Sequence, residues 1–181
     1  MTKLAERAKK LVPADPLDPK TRLGALVNES QMRKVLGYVE TGVKEGAKVV
    51  AGGQRQPVNG KGYFVQATVL DGVDNGMRVA QEEIFGPVLS VIPFDGVDDA
   101  VEKGNDIFFG LAAGVWTRDV KKAHAVARRL QAGTVWVNMY NFYDPGMPFG
   151  GFKGSGFGRD LGAESAREFT QLKSVWMNGE G

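Results

Sequence analysis

The residues best suited to chemistry stand in the segment QEEIFGPV, at positions 81–88. An acidic pair before an aromatic residue and a Gly-Pro step places two carboxylates on a loop that Pro87 stiffens. A carboxylate accepts two hydrogen bonds at once, so such a loop can bind a ligand that carries hydroxyl groups. The alternative is a solvated glutamate beside a phenylalanine that packs in the core, and spacing alone favours this second interpretation.

A second segment, MPFGGFKGSGFGRD at positions 147–160, is rich in glycine. Glycine costs conformational entropy, so this density indicates a backbone that needs positive φ angles or close approach to another group. Within it we expect Lys153 to satisfy backbone carbonyls rather than to do chemistry. We expect Arg159 to form a structural ion pair, and Asp160 to lie in the first turn of a helix that starts near Gly158.

Together these segments resemble the C-terminal part of the catalytic domain of the NAD(P)-dependent aldehyde dehydrogenases. The resemblance covers almost the whole chain, because GYFVQATVL, GLAAGVWTRD, QAGTVWVN and TQLKSVW follow the order and spacing of that family. It implies that Glu83 accepts hydrogen bonds from the hydroxyls of the nicotinamide ribose and that Phe85 lies against the nicotinamide ring. The implied cofactor is NAD or NADP, and the implied reaction oxidises an aldehyde to a carboxylic acid.

The resemblance also implies that the loop after Asn138 lines the channel for the aldehyde. Phe149 is then the main candidate for substrate contact, and Tyr143 is a weaker one. Aromatic side chains there would form an apolar slot, which favours a non-polar aldehyde over a charged one. Alternatively, Phe149 fills the core beside Gly150 and Gly151, and both interpretations can hold together. We expect the two loops that carry Glu83 and Phe149 to meet at one rim of the fold.

The sequence contains no cysteine. Enzymes of the resembled family attack the aldehyde with a cysteine thiolate, so we assign no catalytic residue and predict that this chain alone is inactive. By resemblance the nucleotide-binding domain is also absent, and we predict weak or no binding of NAD or NADP by this chain alone. The alternative hypothesis is a non-catalytic module that serves assembly or small-molecule binding.

Composition excludes several other classes of function. Of the 181 residues, 43% are hydrophobic and 24% are charged, which is typical of one globular domain over residues 1–181. A net charge of +2 gives no reason to expect a nucleic-acid partner. No apolar run is long enough for a membrane span, so a cytosolic protein is the simplest expectation. His124 is the only histidine, and no cluster of metal-ligating residues accompanies it, so we predict no metal site.

The order of predicted elements favours an α/β fold, with a parallel sheet in a three-layer arrangement. Asn28 or Ser30 can cap a helix that ends near Gly46. Later segments alternate between strand and helix, which is typical of parallel crossovers. The predicted strands are 48–51, 63–70, 88–94, 111–117 and 134–138, and the later helices are 97–104 and 120–130. A last strand, about 172–177, is expected to associate with a neighbouring subunit in a homo-oligomer.

Overall fold

The computed structural model describes residues 1–179, in which helices alternate with strands. The chain forms two compact units, Met1–Phe94 and Asp95 onward. Parallel and antiparallel strand pairs both occur, which confirms the α/β fold class. That residues 1–181 act as one domain stays a prediction. The elements are α1 (Thr2–Lys9), α2 (Glu29–Glu45), β1 (Lys48–Ala51), β2 (Thr68–Asp71), α3 (Arg78–Gln81), β3 (Val88–Ser90), α4 (Gly96–Asn105), β4 (Phe109–Gly110), β5 (Ala112–Val115), α5 (Val120–Arg129), β6 (Thr134–Val137), β7 (Phe152–Lys153) and α6 (Ser165–Glu168).

Helix α2 is the main helix of the first unit, and both of its ends follow the sequence prediction. The Asn28 side chain accepts a hydrogen bond from the Gln31 amide at 2.8 Å, which satisfies a free donor of the first turn. The helix ends at Gly46, whose φ of 114° lies in the left-handed region that glycine adopts without strain. Val35 and Val39 lie on the apolar face of the helix and are buried.

The sheet of the first unit has the order β1-β2-β3, with β1 antiparallel and β3 parallel to β2. Leu70, on the central strand, is fully buried. The strand predicted from Tyr63 begins only at Thr68, because the preceding residues form a loop with isolated bridges such as Arg55 to Val65. The strand predicted over 88–94 ends at Ser90.

In the second unit, β5 and β6 are parallel, and α5 connects them. This pair confirms the predicted crossover. The prediction that β3 continues the same parallel succession is wrong, because β3 pairs with β2 in the sheet of the first unit. Alternating elements predict that a crossover exists, but they do not tell which neighbour a strand selects. Strands β4 and β7 form a separate antiparallel pair.

The segment after α6 has no regular secondary structure through residue 178. Leu172, Trp176 and Met177 are almost fully exposed. The strand expected at 172–177 therefore does not form within the described chain, because a strand needs a neighbour for its backbone donors and acceptors. Its pairing with another subunit stays a prediction.

Candidate functional site

The segment of residues 81–87, here called the acidic loop, joins α3 to β3. Glu82 at its start has both carboxylate oxygens occupied. Arg78 donates from Nε to Oε1 and from Nη2 to Oε2, each at 2.8 Å, and the Tyr38 hydroxyl donates to Oε2 at 2.6 Å. These bonds, first those from Arg78 and then that from Tyr38, lower the pKa of Glu82 to about 2. Glu82 is therefore ionised and held in place.

The partners of Glu82 are themselves held by α2. Tyr38 is buried on that helix, and its hydrogen bond to the Glu82 carboxylate raises its own pKa. The Arg78 guanidinium lies 5.5 Å from the centre of the Tyr38 ring, and the Arg78 amide donates to Glu45 Oε2 at 2.9 Å. Interaction with Glu82 also raises the pKa of Arg78. The start of the acidic loop is thus tied to α2 through side chains.

The second half of the acidic loop is tied to the same helix. Gln31 Nε2 donates to the carbonyls of Ile84 at 3.0 Å and Phe85 at 3.1 Å. Ile84 is buried in the core of the first unit. A Cβ at Gly86 would lie 2.5 Å from Val35 Cγ2, so only glycine fits beside that buried valine. The loop therefore has fixed points on both sides of Glu83.

Glu83 is exposed, and no described residue forms a hydrogen bond or ion pair with its carboxylate. Of the acidic pair, Glu82 has its acceptors filled by the protein and Glu83 keeps its acceptors open. This is the arrangement that a ligand with hydroxyl groups needs. The predicted site residue is thus the glutamate that is available.

Phe85 has a φ of 53°, and its side chain is 69% exposed. A residue with a bulky side chain pays roughly 1–2 kcal/mol to adopt the left-handed region. The alternative that Phe85 packs in the core is wrong, because Ile84 takes the core position in this loop. Burial therefore does not explain the aromatic ring at position 85.

Residues 139–149, here called the aromatic loop, belong to the second unit. Buried Trp136 donates from Nε1 to the Phe142 carbonyl at 2.8 Å, which holds the loop against β6. Its ring meets that of Tyr143 edge to face, at 5.6 Å between centroids and 89°. Tyr143 in turn meets Phe149, at 5.1 Å and 84°. The structure thus brings together the two residues that the sequence predicted for substrate contact.

These rings border a cavity of about 340 Å³. Its lining is mostly apolar. The lining residues are Gly133, Thr134, Val135, Trp136, Phe142, Tyr143, Asp144, Met147, Pro148 and Phe149. A cavity of this size and character accepts a small apolar molecule. A larger open groove, of about 710 Å³, lies beside α5 and includes His124 and Trp116, but none of the predicted site residues.

Asn138, directly before the aromatic loop, has a φ of 56°. Its side-chain amide pairs with the backbone of Thr117 in both directions. Oδ1 accepts from the Thr117 amide at 2.9 Å, and Nδ2 donates to the Thr117 carbonyl at 2.8 Å. This pair ties the ends of β5 and β6 together where the loop begins.

Two residues within the glycine-rich segment have structural partners. Lys153 Nζ donates to the carbonyls of Asn105 at 2.8 Å and Ile107 at 2.7 Å, which confirms the predicted role. Within residues 1–179 Arg159 forms no ion pair, and an ion pair at an interface stays a prediction. Its guanidinium donates to the carbonyls of Gly151 and Gly158, and it lies 5.5 Å from the centre of the Phe152 ring. Backbone carbonyls take the place of an acidic side chain, because many carbonyls in a loop are not used in secondary structure.

Asp160 does not lie in the first turn of a helix. It forms an antiparallel bridge with Phe149, whose amide donates to the Asp160 carbonyl at 2.7 Å and whose carbonyl accepts at 2.8 Å. The left-handed φ angles at Gly158, Leu161 and Gly162 prevent a helix there, and α6 begins at Ser165. The bridge holds the end of the aromatic loop, so Asp160 supports Phe149 through the backbone.

The sequence analysis missed Gln31, Tyr38 and Arg78. Gln31 and Tyr38 stand on either side of Val35 at helical spacing, so both lie along the buried face of α2. A polar residue on such an apolar stripe is the signal that could have identified them, since it needs a partner from another element.

Within residues 1–179, no helix is long and apolar enough to span a membrane. The same residues contain no group of three or more histidine, cysteine, aspartate or glutamate side chains placed to hold a metal ion.

Comparison with known proteins adds independent findings. The model of the aldehyde dehydrogenase family matches residues 1–175. The betaine aldehyde dehydrogenase of Mesorhizobium japonicum is 48% identical over 177 residues, which are 97% of this chain and 36% of that protein. Human aldehyde dehydrogenase 1A1 is 48% identical over 94% of this chain and 34% of its own length. The NAD+ complex of the Bacillus cereus aldehyde dehydrogenase has a TM-score of 0.92 at 45% identity, over 99% of this chain and 36% of that chain. The chain spans about a third of the length of these relatives.

Proposed function

Because the chain belongs to the aldehyde dehydrogenase family, we propose that it supplies the clamp for the nicotinamide ribose and part of the aldehyde channel of an NAD(P)-dependent oxidoreductase. The enzyme would convert an aldehyde to a carboxylic acid. The observation that carries this proposal is the open carboxylate of Glu83 on a loop whose neighbouring residues are fixed. A relative of similar fold has been solved as an NAD+ complex, which supports a dinucleotide as the ligand.

In this proposal Glu83 accepts hydrogen bonds from the two ribose hydroxyls, because a carboxylate has room for both donors. The exposed ring of Phe85 packs against the nicotinamide face, which orients the ring and excludes water from it. The bound dinucleotide would supply the hydride acceptor of the reaction.

Tyr143 and Phe149 form the part of the channel that this chain contributes. Their edge-to-face pair and the apolar lining of the adjacent cavity support a non-polar aldehyde. A small aromatic aldehyde such as benzaldehyde is then a suitable probe of the cavity.

Catalysis by this chain alone is not expected. The reaction needs an activated nucleophile, and the sequence contains no cysteine to form a thiolate. We also propose weak binding of NAD or NADP by the chain alone, because the sequence contains no Gly-x-Gly-x-x-Gly pattern of a pyrophosphate-binding turn. Reduction of NAD with benzaldehyde by the purified chain would contradict the proposed inactivity.

We further propose association with a second subunit through residues 172–177. The exposed side chains of Leu172, Val175 and Trp176 support this, since a strand partner would bury them and pair their backbone groups. Light scattering that shows a monomer at high protein concentration would contradict this part of the proposal.

The ribose contact is tested with nicotinamide mononucleotide, which carries the ribose and the ring without the adenine half. Binding to the chain is followed by NMR titration at millimolar ligand. We expect Glu83→Gln and Phe85→Ala each to weaken binding by about tenfold, the loss that follows removal of a charged acceptor or a stacked ring. Glu40→Gln, at an exposed glutamate of α2, is the matched control and should bind like the unaltered chain. Equal binding by Glu83→Gln and the control would refute the ribose contact.

A further inference from the structure

The two glutamates of the acidic loop face opposite ways for a backbone reason. Glu82 has a φ of −110° and a ψ of 146°, which is extended backbone. In extended chain, successive side chains point to opposite sides. Because the Glu82 side chain is turned toward Tyr38 and Arg78, the Glu83 side chain is turned away from them toward solvent. The direction of the Glu83 side chain is thus coupled to the residues that hold Glu82.

Three hydrogen bonds from two residues hold Glu82. Arg78 approaches the carboxylate with two nitrogens, which fixes the plane of the group, and the Tyr38 hydroxyl adds a bond from the side of α2. Tyr38 cannot move easily, since its ring is buried and the Arg78 guanidinium stacks over it. The carboxylate is therefore joined to the buried ring of Tyr38 on α2 as well as to the more exposed side chain of Arg78.

The residue after Glu83 is equally constrained. Ile84 is buried, and Gln31 holds its carbonyl. Glu83 is left as one exposed side chain between two anchored neighbours. Its backbone then loses little further freedom when a ligand binds, and this lowers the entropic cost of binding.

We infer that Tyr38 and Arg78 are positioning residues for Glu83, and that they act by locking Glu82 so that the next carboxylate is presented to ribose hydroxyls before the ligand arrives. The inference rests on the proposed ribose contact of Glu83. Neither residue touches the ligand in this scheme. Glu82 anchors the loop and does not itself contact the ribose.

Tyr38→Phe is the sharpest test, because it keeps the buried ring and removes only the hydroxyl. We expect hydrogen exchange of the amides of residues 82–86 to become about fivefold faster, as loss of one hydrogen bond predicts. We expect nicotinamide mononucleotide to bind about fivefold more weakly. Tyr63→Phe, at a partly exposed tyrosine of the same unit, is the matched control and should change neither quantity.

A double-mutant cycle separates positioning from a general structural role. In the Glu83→Gln background, Tyr38→Phe should still accelerate exchange of the loop but should have no further effect on mononucleotide affinity. An equal additional loss of affinity in that background would overturn the inference. Unchanged exchange of residues 82–86 in Tyr38→Phe would also overturn it, whatever the affinity.

The affinity of the Glu83→Gln variant alone tests the proposed function, separately from the test of the anchor. If Glu83→Gln alone leaves mononucleotide affinity unchanged, the ribose contact is refuted, and the purpose assigned to the anchor falls with it. Arg78→Met is a second test of the anchor, since it removes both hydrogen bonds from the guanidinium to Glu82. It should accelerate loop exchange at least as much as Tyr38→Phe does.

Discussion

The two units of this chain reach close packing by different means. In the first unit, large side chains such as Val35, Leu70 and Val73 are buried almost completely. Among the described residues of the second unit, the buried apolar side chains are Val101, Ala123 and Trp136. There, close contacts between backbone groups are more frequent than in the first unit, where Gly52 has one. A Cβ at Gly133 would lie 1.6 Å from the Gly150 carbonyl oxygen.

This difference explains why particular glycines of the second unit, such as Gly133, cannot be replaced by larger residues at low cost. Side chains can shift by a few tenths of an ångström to accommodate a change, whereas a neighbouring backbone cannot do so cheaply. The acidic loop is therefore supported by an ordinary core, and the aromatic loop is supported by close contact between peptide groups. The two loops should respond differently to mutation.

The largest expected effect is loss of the core of the first unit. Leu70→Ala should lower the free energy of unfolding by about 2–5 kcal/mol, because it leaves a cavity at a fully buried position of the central strand. Chemical denaturation followed by circular dichroism measures it. Leu111→Ala, at a residue that is 44% exposed in the second unit, should cost less than about 1 kcal/mol. Equal losses would contradict the assignment of Leu70 to the core.

The contact between peptide groups is tested at Gly133. Gly133→Ala should cost about 3 kcal/mol, since the new methyl group would overlap the Gly150 carbonyl. Gly37→Ala, within α2, is the opposite control. Nothing lies within 4 Å of the added Cβ there, so helix propensity should stabilise the chain by about 0.5–1 kcal/mol. If Gly133→Ala is neutral in thermal or chemical denaturation, the segments that contain Gly133 and Gly150 can move apart without cost.

The anchored glutamate predicts a specific acid sensitivity. The pKa of Glu82 falls from 4.5 to about 2 in the folded chain, so its contribution to stability is complete above about pH 4.5 and is lost as the pH falls toward 2. Glu82→Gln should flatten the dependence of unfolding free energy on pH within that window. An unchanged profile in Glu82→Gln would contradict the anchoring of this carboxylate by Arg78 and Tyr38.

The smallest effect is expected at Lys153, which bonds two carbonyls near the end of α4. Lys153→Met should cost about 1 kcal/mol, the usual scale for exposed hydrogen bonds of this kind. Lys121→Met, at an exposed lysine of α5, should be neutral in the same denaturation experiment. A neutral Lys153→Met would mean that solvent replaces the ammonium group at those carbonyls.

Local chemistry made part of this fold predictable. Asn28 and Gly46 mark the ends of α2 because capping depends on a few adjacent residues. The crossover from β5 to β6 follows from the alternation of elements. The role of Lys153 was also predictable, since a lysine surrounded by glycines has few neighbours except backbone carbonyls.

Features that depend on distant parts of the chain were not predictable. The choice of β2 as the partner of β3 depends on packing, and so do the clamps of Tyr38 and Gln31 on the acidic loop. The bridge between Phe149 and Asp160 replaced a predicted helix because Gly158, Leu161 and Gly162 adopt left-handed φ angles, and glycine density alone does not tell which residues do so. For the site, the family resemblance predicted Glu83 and Phe85, whereas the structure shows which residues hold their loop.

The left-handed backbone at Phe85 has a consequence for engineering. If folding alone selected the residue at this position, glycine would be preferred, because it adopts a φ of 53° without strain and exposes no ring. A screen for heat tolerance would therefore select Phe85→Gly, and any dependence of ligand capture on the ring would disappear with it. At this position, thermal stability and ligand binding are expected to favour different residues.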